Sequence, residues 1–304
     1  MASVPFIKPL DHFSRAEWNA LTARNRFMGP LLIAHCWGVI IAAAAMFVIW
    51  PNPLTYVLAV ALIGARQLGL AILMHDAAHG LLSKNQKLND FMGGALTGTF
   101  IGADLRQYRD YHLKHHKFAQ QEEDPDLVLS SPFPVTKQSM RRKIFRDLTG
   151  QTFFKQRIAP IFAGNEGLSF SGVSKKFLIA NAGLLSLCII VGYWWVYFAL
   201  WIVPLATWNP LVTRLRNIAE HACVGSDPNP WRVARTTLAN PIEGLMIAPY
   251  WVNYHSEHHL FMYVPCYRLK AVHRALRDQD KTKDMHVAEG YLPVLKLAAS
   301  APTG

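Results

Sequence analysis

Cysteine is scarce in this chain and carries no pattern. The four cysteines (Cys36, Cys188, Cys223 and Cys266) are scattered, with no Cys-x-x-Cys pair, so neither a disulfide framework nor a zinc ribbon organises the fold. Charge is scarce as well. Of 304 residues, 17% are Asp, Glu, Lys or Arg, against roughly 25% in an average soluble domain, while 51% are hydrophobic. Acidic residues are the rarer sign, 20 against 31 basic, which leaves a formal net charge of +11. The first residues, Met1-Ala2-Ser3-Val4-Pro5-Phe6, lack the basic-then-apolar order of a secretory signal peptide. There is no internal repeat and no low-complexity tract. A strongly basic chain suits a nucleic-acid partner as well as a membrane, and the placement of the charges decides between them.

Long apolar runs are what the chain does have. Residues 31–50 hold no formal charge apart from His35, and twenty helical residues span roughly 30 Å, the thickness of a bilayer's hydrocarbon. Pro51-Asn52-Pro53 breaks this run. A second, residues 54–74, is interrupted only by Arg66-Gln67, and the pair forms a hairpin with a short turn. Arg66 is costly in lipid and is expected to face protein or a polar cavity. Residues 177–192 and 194–208 form a second hairpin around Gly192-Tyr193, where Tyr193, Trp194, Trp195 and Tyr197 make an interfacial aromatic belt. Residues 91–103 and 241–252 are apolar but too short to cross, and the first reads as a re-entrant or interfacial helix. Residues 153–162 are amphipathic and suit a membrane surface. Near the N-terminus, Ser14 and Glu17 have the spacing of a capping box.

Lysine and arginine number four in residues 1–30, fifteen in 75–176 and eleven in 209–304, with none in the turns at 51–53 and around 193. By the positive-inside rule both turns are outside and the rest is cytoplasmic. The net charge is thus a topology signal, and no nucleic-acid partner is expected. The predicted fold is a single all-α integral membrane domain over 1–304. It has a cytoplasmic N-terminal segment (1–30) and four transmembrane helices in two hairpins (31–50, 54–74, 177–192, 194–208). A helical cytoplasmic cap (75–176 and 209–304) carries a dimetal site.

That site is read from histidine. Eight of the thirteen histidines fall in three short clusters: His75 and His79; His112, His115 and His116; His255, His258 and His259. The spacings i, i+4 and i, i+3, i+4 set the rings on one face of a helix. One histidine pair on a helix is more often structural than metal-bound. Three clusters are a different matter, and eight imidazoles exceed the four ligands of a tetrahedral ion, so they imply two metals. Asn217 and His221, again i and i+4, add an amide oxygen and a ninth imidazole. With both termini inside, all four elements meet on one face of the membrane. Asp76 is expected to tune a ligand through a hydrogen bond. Glu122-Glu123-Asp124-Pro125-Asp126 reads as a solvated turn, and His12, His273 and His286 as surface residues.

Read as HDAAH, HLKHH and HSEHH, with two membrane hairpins between them, these boxes resemble those of the membrane-bound fatty acid desaturase and hydroxylase family, over residues 30–275. The resemblance implies a non-haem di-iron centre with O2 as co-substrate. Its ligands would be His75, His79, His112, His115, His116, His221, His255, His258 and His259, with Asn217 weak or water-mediated. Glu220, Glu257 and Asp76 would hydrogen-bond to them. Three residues between the histidines of the first box, where the stearoyl-CoA type has four, point away from an acyl-CoA and toward a membrane acyl lipid or another lipid. No His-Pro-Gly-Gly haem motif is present, so electrons are expected from a separate ferredoxin or small cytochrome with its reductase. The basic residues Arg141, Arg142 and Arg146 would steer such an acidic partner.

The expected activity is O2-dependent desaturation of a lipid acyl chain, in a bacterial inner membrane with the active site cytoplasmic. Hydroxylation or ketolation of a lipid or carotenoid ring by the same site is the alternative. A histidine-rich membrane metal transporter or zinc hydrolase is the reading of another class. A transporter would carry its ligands near the middle of its spans, whereas these clusters lie at the ends.

Overall fold

The computed structural model describes residues 3–159 and 174–302. The last three residues of the amphipathic stretch 153–162 lie outside them. The chain divides into two compact units. One comprises Met1–Asn25, Arg109–Arg141 and Arg214–Gly304, the other Arg26–Tyr108 and Arg142–Thr213.

In chain order the main helices are α1 (Arg15–Thr22), α2 (Met28–Ile49), α3 (Pro53–Ala78), α4 (Gln86–Ala95), α5 (Leu105–Phe118), α6 (Lys137–Leu148) and α7 (Lys175–Ile190). The run Trp194–His221 follows as α8. Then come α9 (Pro241–Met246), α10 (His255–Leu260), α11 (Leu269–Asp278) and α12 (Tyr291–Ala298). Two short strands, β1 (Arg235–Thr237) and β2 (His286–Ala288), pair in parallel, Thr236 opposite Val287. The chain is mostly helical, as expected, but this small sheet departs from an all-α fold.

The second unit carries the apolar helices. Three helices among the described residues are long and apolar enough to cross a membrane: α2, α3 and α8. The remaining predicted span, 177–192, forms α7, which has 16 residues. The turn between α2 and α3 is built as the sequence implies. Pro53 opens α3, and the Asn52 side chain accepts from the backbone N–H of Leu54 and Thr55, each at 3.0 Å. Two predicted boundaries move. Helix α3 runs on through His75 to Ala78, and α8 runs on to His221, so the first box and the Asn217/His221 element continue apolar helices rather than follow them. Helical hydrogen bonding is local and takes no notice of where an apolar stretch ends.

Packing inside this unit explains several residues. Arg66 and Gln67 are buried, and the Gln67 amide donates to the Trp201 carbonyl at 2.8 Å. Residues 91–103 do not form one helix. Helix α4 ends at Ala95 and a 3-10 turn covers Gly98–Ile101. Gly93 is required where α4 meets α3, since a Cβ there would lie 2.1 Å from the Ala77 Cβ. Tyr193 and Trp194 are exposed, as an aromatic belt requires, but Tyr197 turns inward. Asn181 on α7 is a buried hub: its side-chain oxygen accepts from Tyr197 Oη at 3.2 Å and Trp201 Nε1 at 2.8 Å.

The first unit is the histidine-bearing one. Helix α1 has the predicted capping box, with Glu17 N–H donating to Ser14 Oγ at 3.2 Å and Ser14 N–H to Glu17 Oε2 at 2.8 Å. Phe13, Trp18 and Phe261 form an aromatic cluster beneath it. The sheet, α10 and α11 supply the framework of the site.

Candidate metal centre

Seven of the nine predicted histidine ligands lie in the first unit, and they sort into two groups. His112, His116 and His258 form one; His115, His221, His255 and His259 form the other; within each, ligand nitrogens lie within 4.8 Å of one another. The groups adjoin, with the His116 and His259 rings stacked at 4.3 Å between centroids.

Helix α5 places His112 and His116 one turn apart for the first group and turns His115 toward the second. Helix α10 does the reverse: His255 and His259 serve the second group and His258 the first. Helix α8 contributes His221. In the first group His116 Nε2 is 3.0 Å from His112 Nε2 and 2.9 Å from His258 Nε2. In the second, the four Nε2 atoms close a ring: His115 to His221 at 3.2 Å, His221 to His255 at 2.9 Å, His255 to His259 at 3.2 Å and His259 to His115 at 3.3 Å.

The tautomers decide what such a ring means. His221 Nδ1 sits 3.0 Å from the Val233 carbonyl oxygen, which can only accept, so Nδ1 carries the proton and Nε2 presents a lone pair. His115 Nδ1 donates to Asp124 Oδ1 at 2.7 Å, with the same consequence. His255 Nδ1 faces Glu220 Oε1 at 3.4 Å. Lone pairs therefore converge, an arrangement that repels itself unless a cation sits among them. With metal–nitrogen bonds of about 2.1 Å, neighbouring ligand nitrogens lie about 3.0 Å apart on an octahedron and about 3.4 Å on a tetrahedron. The separations here match these edges, nearer the former. Burial, and after it the surrounding imidazoles His116, His255, His221 and His115, hold the His259 ring well below its usual pKa, which keeps it neutral and able to ligate. The donor set fits a pair of first-row transition metals.

The other predicted residues fall as follows. His75 stands in the last turn of α3 and His79 caps its C-terminal end, in the second unit; His75 is buried, and the ring centroids are 5.2 Å apart. Asp76 is buried beside them. Asn217 on α8 accepts from Arg216 Nη1 at 3.2 Å. Glu220 lies 3.4 Å from His255 Nδ1 and is held by Arg216 Nε at 2.5 Å. Glu257 does not face a ligand histidine in its hydrogen bonds; it accepts from Thr236 Oγ1 and His273 Nδ1.

Two residues read from sequence as solvated prove buried. Asp124 is buried because the chain reverses after α5 at Gln120, which takes φ +62°, and the acidic turn folds back onto His115. Its carboxylate also accepts from the N–H of Gln120 at 2.9 Å and of Asp126 at 2.8 Å. A carboxylate nine residues after a box histidine was the available signal, obscured by its charged neighbours. His273 is buried against Glu257.

A membrane-helix protein with two polyhistidine groups on interleaved helices is the class these features define. The chain belongs to the fatty acid desaturase family, whose sequence profile matches residues 51–291. It is 28% identical over 277 residues to a dihydrorhizobitoxine desaturase of Bradyrhizobium elkanii, covering 84% of this chain and 77% of that one. It is 24% identical over 244 residues to a beta-carotene ketolase of a Paracoccus species, covering 78% of this chain and 87% of the relative. A zeaxanthin 4-ketolase of Chlamydomonas reinhardtii is 24% identical over 210 residues, 66% of this chain and 40% of that protein. The family and these relatives are oxidoreductases.

Proposed function

We propose that this chain is an O2-dependent di-iron oxidase of a membrane lipid, inserting a double bond into an acyl chain. The observation that carries the reading is the double histidine group, in which ring nitrogens converge and the tautomers of His115 and His221 are fixed from behind. Neutral ligands hold two cations without adding negative charge, which suits iron moving between its two common oxidation states. In this reading His112, His116 and His258 hold one iron, and His75 and His79 of the first box are iron ligands as the family's boxes imply. His115, His221, His255 and His259 hold the other, with Asn217 as a weak or water-mediated ligand. Bound there, the iron pair would supply the one chemistry no side chain offers, reduction of O2 to an oxidant able to take hydrogen from an unactivated methylene.

The residues of the chain do the rest. Asp124, Glu220 and the Val233 carbonyl orient His115, His255 and His221 and keep Nε2 free to bind. The apolar helices admit the hydrocarbon from the bilayer and keep water from the reacting carbon. The balance for desaturation is one O2, two electrons and two protons consumed, two hydrogens removed from adjacent carbons, and two waters released. The two electrons come from a separate ferredoxin or small cytochrome with its reductase, drawn by the basic cytoplasmic face. We place the protein in a bacterial inner membrane with four spans in two hairpins, the histidines and both termini being cytoplasmic.

A second reading, ketolation or hydroxylation of a lipid such as a carotenoid, is favoured by the two ketolase relatives. The same site serves it if the carbon radical captures oxygen instead of losing a second hydrogen. Mass spectrometry of lipids and pigments from cells expressing wild type or His258→Ala, with a compatible reductase, separates the outcomes. A product lighter by two hydrogens, absent in the variant, is desaturation. One heavier by an oxygen is hydroxylation, and one heavier by an oxygen and lighter by two hydrogens is ketolation. No product from iron-loaded protein in cells containing these lipids would turn the reading toward zinc hydrolysis or metal transport.

A further inference from the structure

The third histidine box rests on a helix that cannot orient itself. Helix α10 has six residues, too few for independent stability, and no side-chain bond caps its N-terminus. Yet it delivers His258 to one histidine group and His255 with His259 to the other. Its rotation and pitch therefore affect both groups at once.

Glu257, on the side of α10 away from the ligand rings, is fully buried. Its two carboxylate oxygens are engaged from two different elements. Oε2 accepts from Thr236 Oγ1 at 2.5 Å, and Thr236 is the middle residue of β1. The same hydroxyl accepts from the Ser256 N–H at 3.3 Å, and Thr236 also bridges to Tyr254, just before the helix. Oε1 accepts from His273 Nδ1 at 2.6 Å, and His273 projects from α11. The His273 ring lies 5.5 Å from that of Tyr254. One carboxylate thus spans from a strand to a helix, with the ligand-bearing turn between them.

We propose that His273 is a positioning residue for both metal sites, acting through Glu257 to fix the orientation of α10. This rests on the di-iron reading above. Thr236 alone would leave α10 free to pivot about β1. His273 supplies the second tether, and because His273 and Thr236 hold opposite oxygens of one carboxylate, the helix is held against rotation as well as displacement. A buried carboxylate so close to two cationic centres also needs a donor on its far side to keep it turned away from them. His273 supplies that donor, which keeps Glu257 from competing as a ligand.

The test uses the full-length chain in detergent, with Co2+ as a spectroscopic probe of the histidine sites, and His273→Leu, His273→Gln and Thr236→Val as variants. Wild type should bind two equivalents. His273→Leu should bind Co2+ about tenfold more weakly, with an altered d–d spectrum at both sites. His273→Gln, which keeps a side-chain donor, should recover most of the affinity and the wild-type spectrum. A His273→Leu protein with lowered thermal stability but unchanged affinity and spectrum would show a merely structural contact and overturn the proposal. If His273→Leu does not fold, Thr236→Val decides, since loosening the other tether should give the same spectral change, and an unaltered spectrum overturns the idea. Wild type binding no Co2+ would instead sink the metal reading itself, a result distinct from either.

Discussion

His116 and His258 bring their Nε2 atoms to 2.9 Å across 142 positions of sequence, one from α5 and the other from α10. The partner rings reverse the roles: His115 of α5 joins His255 and His259 of α10 in the second group. Each helix gives two imidazoles to one group and one to the other. This exchange is what the doubled HH of the second and third boxes accomplishes, since consecutive residues on a helix point about 100° apart and so reach different groups.

Ligand deletions should therefore discriminate between the sites. His221→Ala removes a nitrogen from the second group only, and purified protein should fall from two metal equivalents toward one, by elemental analysis. His112→Ala should do the same for the first group. Identical spectra for the two singly loaded proteins would count against two separate sites.

Asp124 should tune one metal without touching it. Asp124→Asn keeps an acceptor for His115 Nδ1 but removes the charge, and metal affinity at the second group is expected to drop about 10- to 100-fold, read by competition with a chelating dye. Asp124→Leu should be worse, because it also strands the N–H groups of Gln120 and Asp126 that the carboxylate now accepts from. Equal affinity in wild type and Asp124→Leu would remove Asp124 from the site.

Metal removal should lower stability as well as activity. Ligands that bind only the folded chain stabilise it by mass action, about 3 kcal/mol per site when free metal exceeds Kd a hundredfold. Chelator-treated protein should melt lower in detergent, and Fe2+ or Co2+ should restore the transition. An unchanged melting curve would mean the histidine groups are held by the scaffold alone.

Gly93→Ala tests the packing of α4 on α3. The new Cβ would meet Ala77, so overpacking of about 1–3 kcal/mol is expected, seen as a lower denaturation midpoint. Asn181→Leu should destabilise by a similar route of lost fit, leaving Tyr197 Oη and Trp201 Nε1 without their acceptor.

The histidine groups were legible in sequence because their signal is local, helical spacing repeated in three boxes. The apolar helices were legible for the same reason. What sequence could not show depends on chain reversals. Asp124 sits in a run of acids that reads as solvated until Gln120 takes a left-handed conformation and turns the run inward. His273 looks like any basic-face residue of α11 until the strand carrying Thr236 is placed against α10. Tyr197 was read with its exposed neighbours, and it faces Asn181 because one turn of helix separates it from Trp201 on the same side. The parallel β1–β2 pair joins residues 51 positions apart, with three residues per strand, too short for any alternation to register.

The shared helices have a consequence for loading. In the two-iron reading, an ion held in one histidine group would restrain α5 and α10, the same two helices that carry ligands of the other group. The two binding equilibria would then be coupled through shared helices rather than through charge, which would favour filled or empty chains over half-filled ones. In a cell short of iron, such a protein would divide the supply into fully competent molecules and apo chains, instead of spreading single ions over molecules that can use neither.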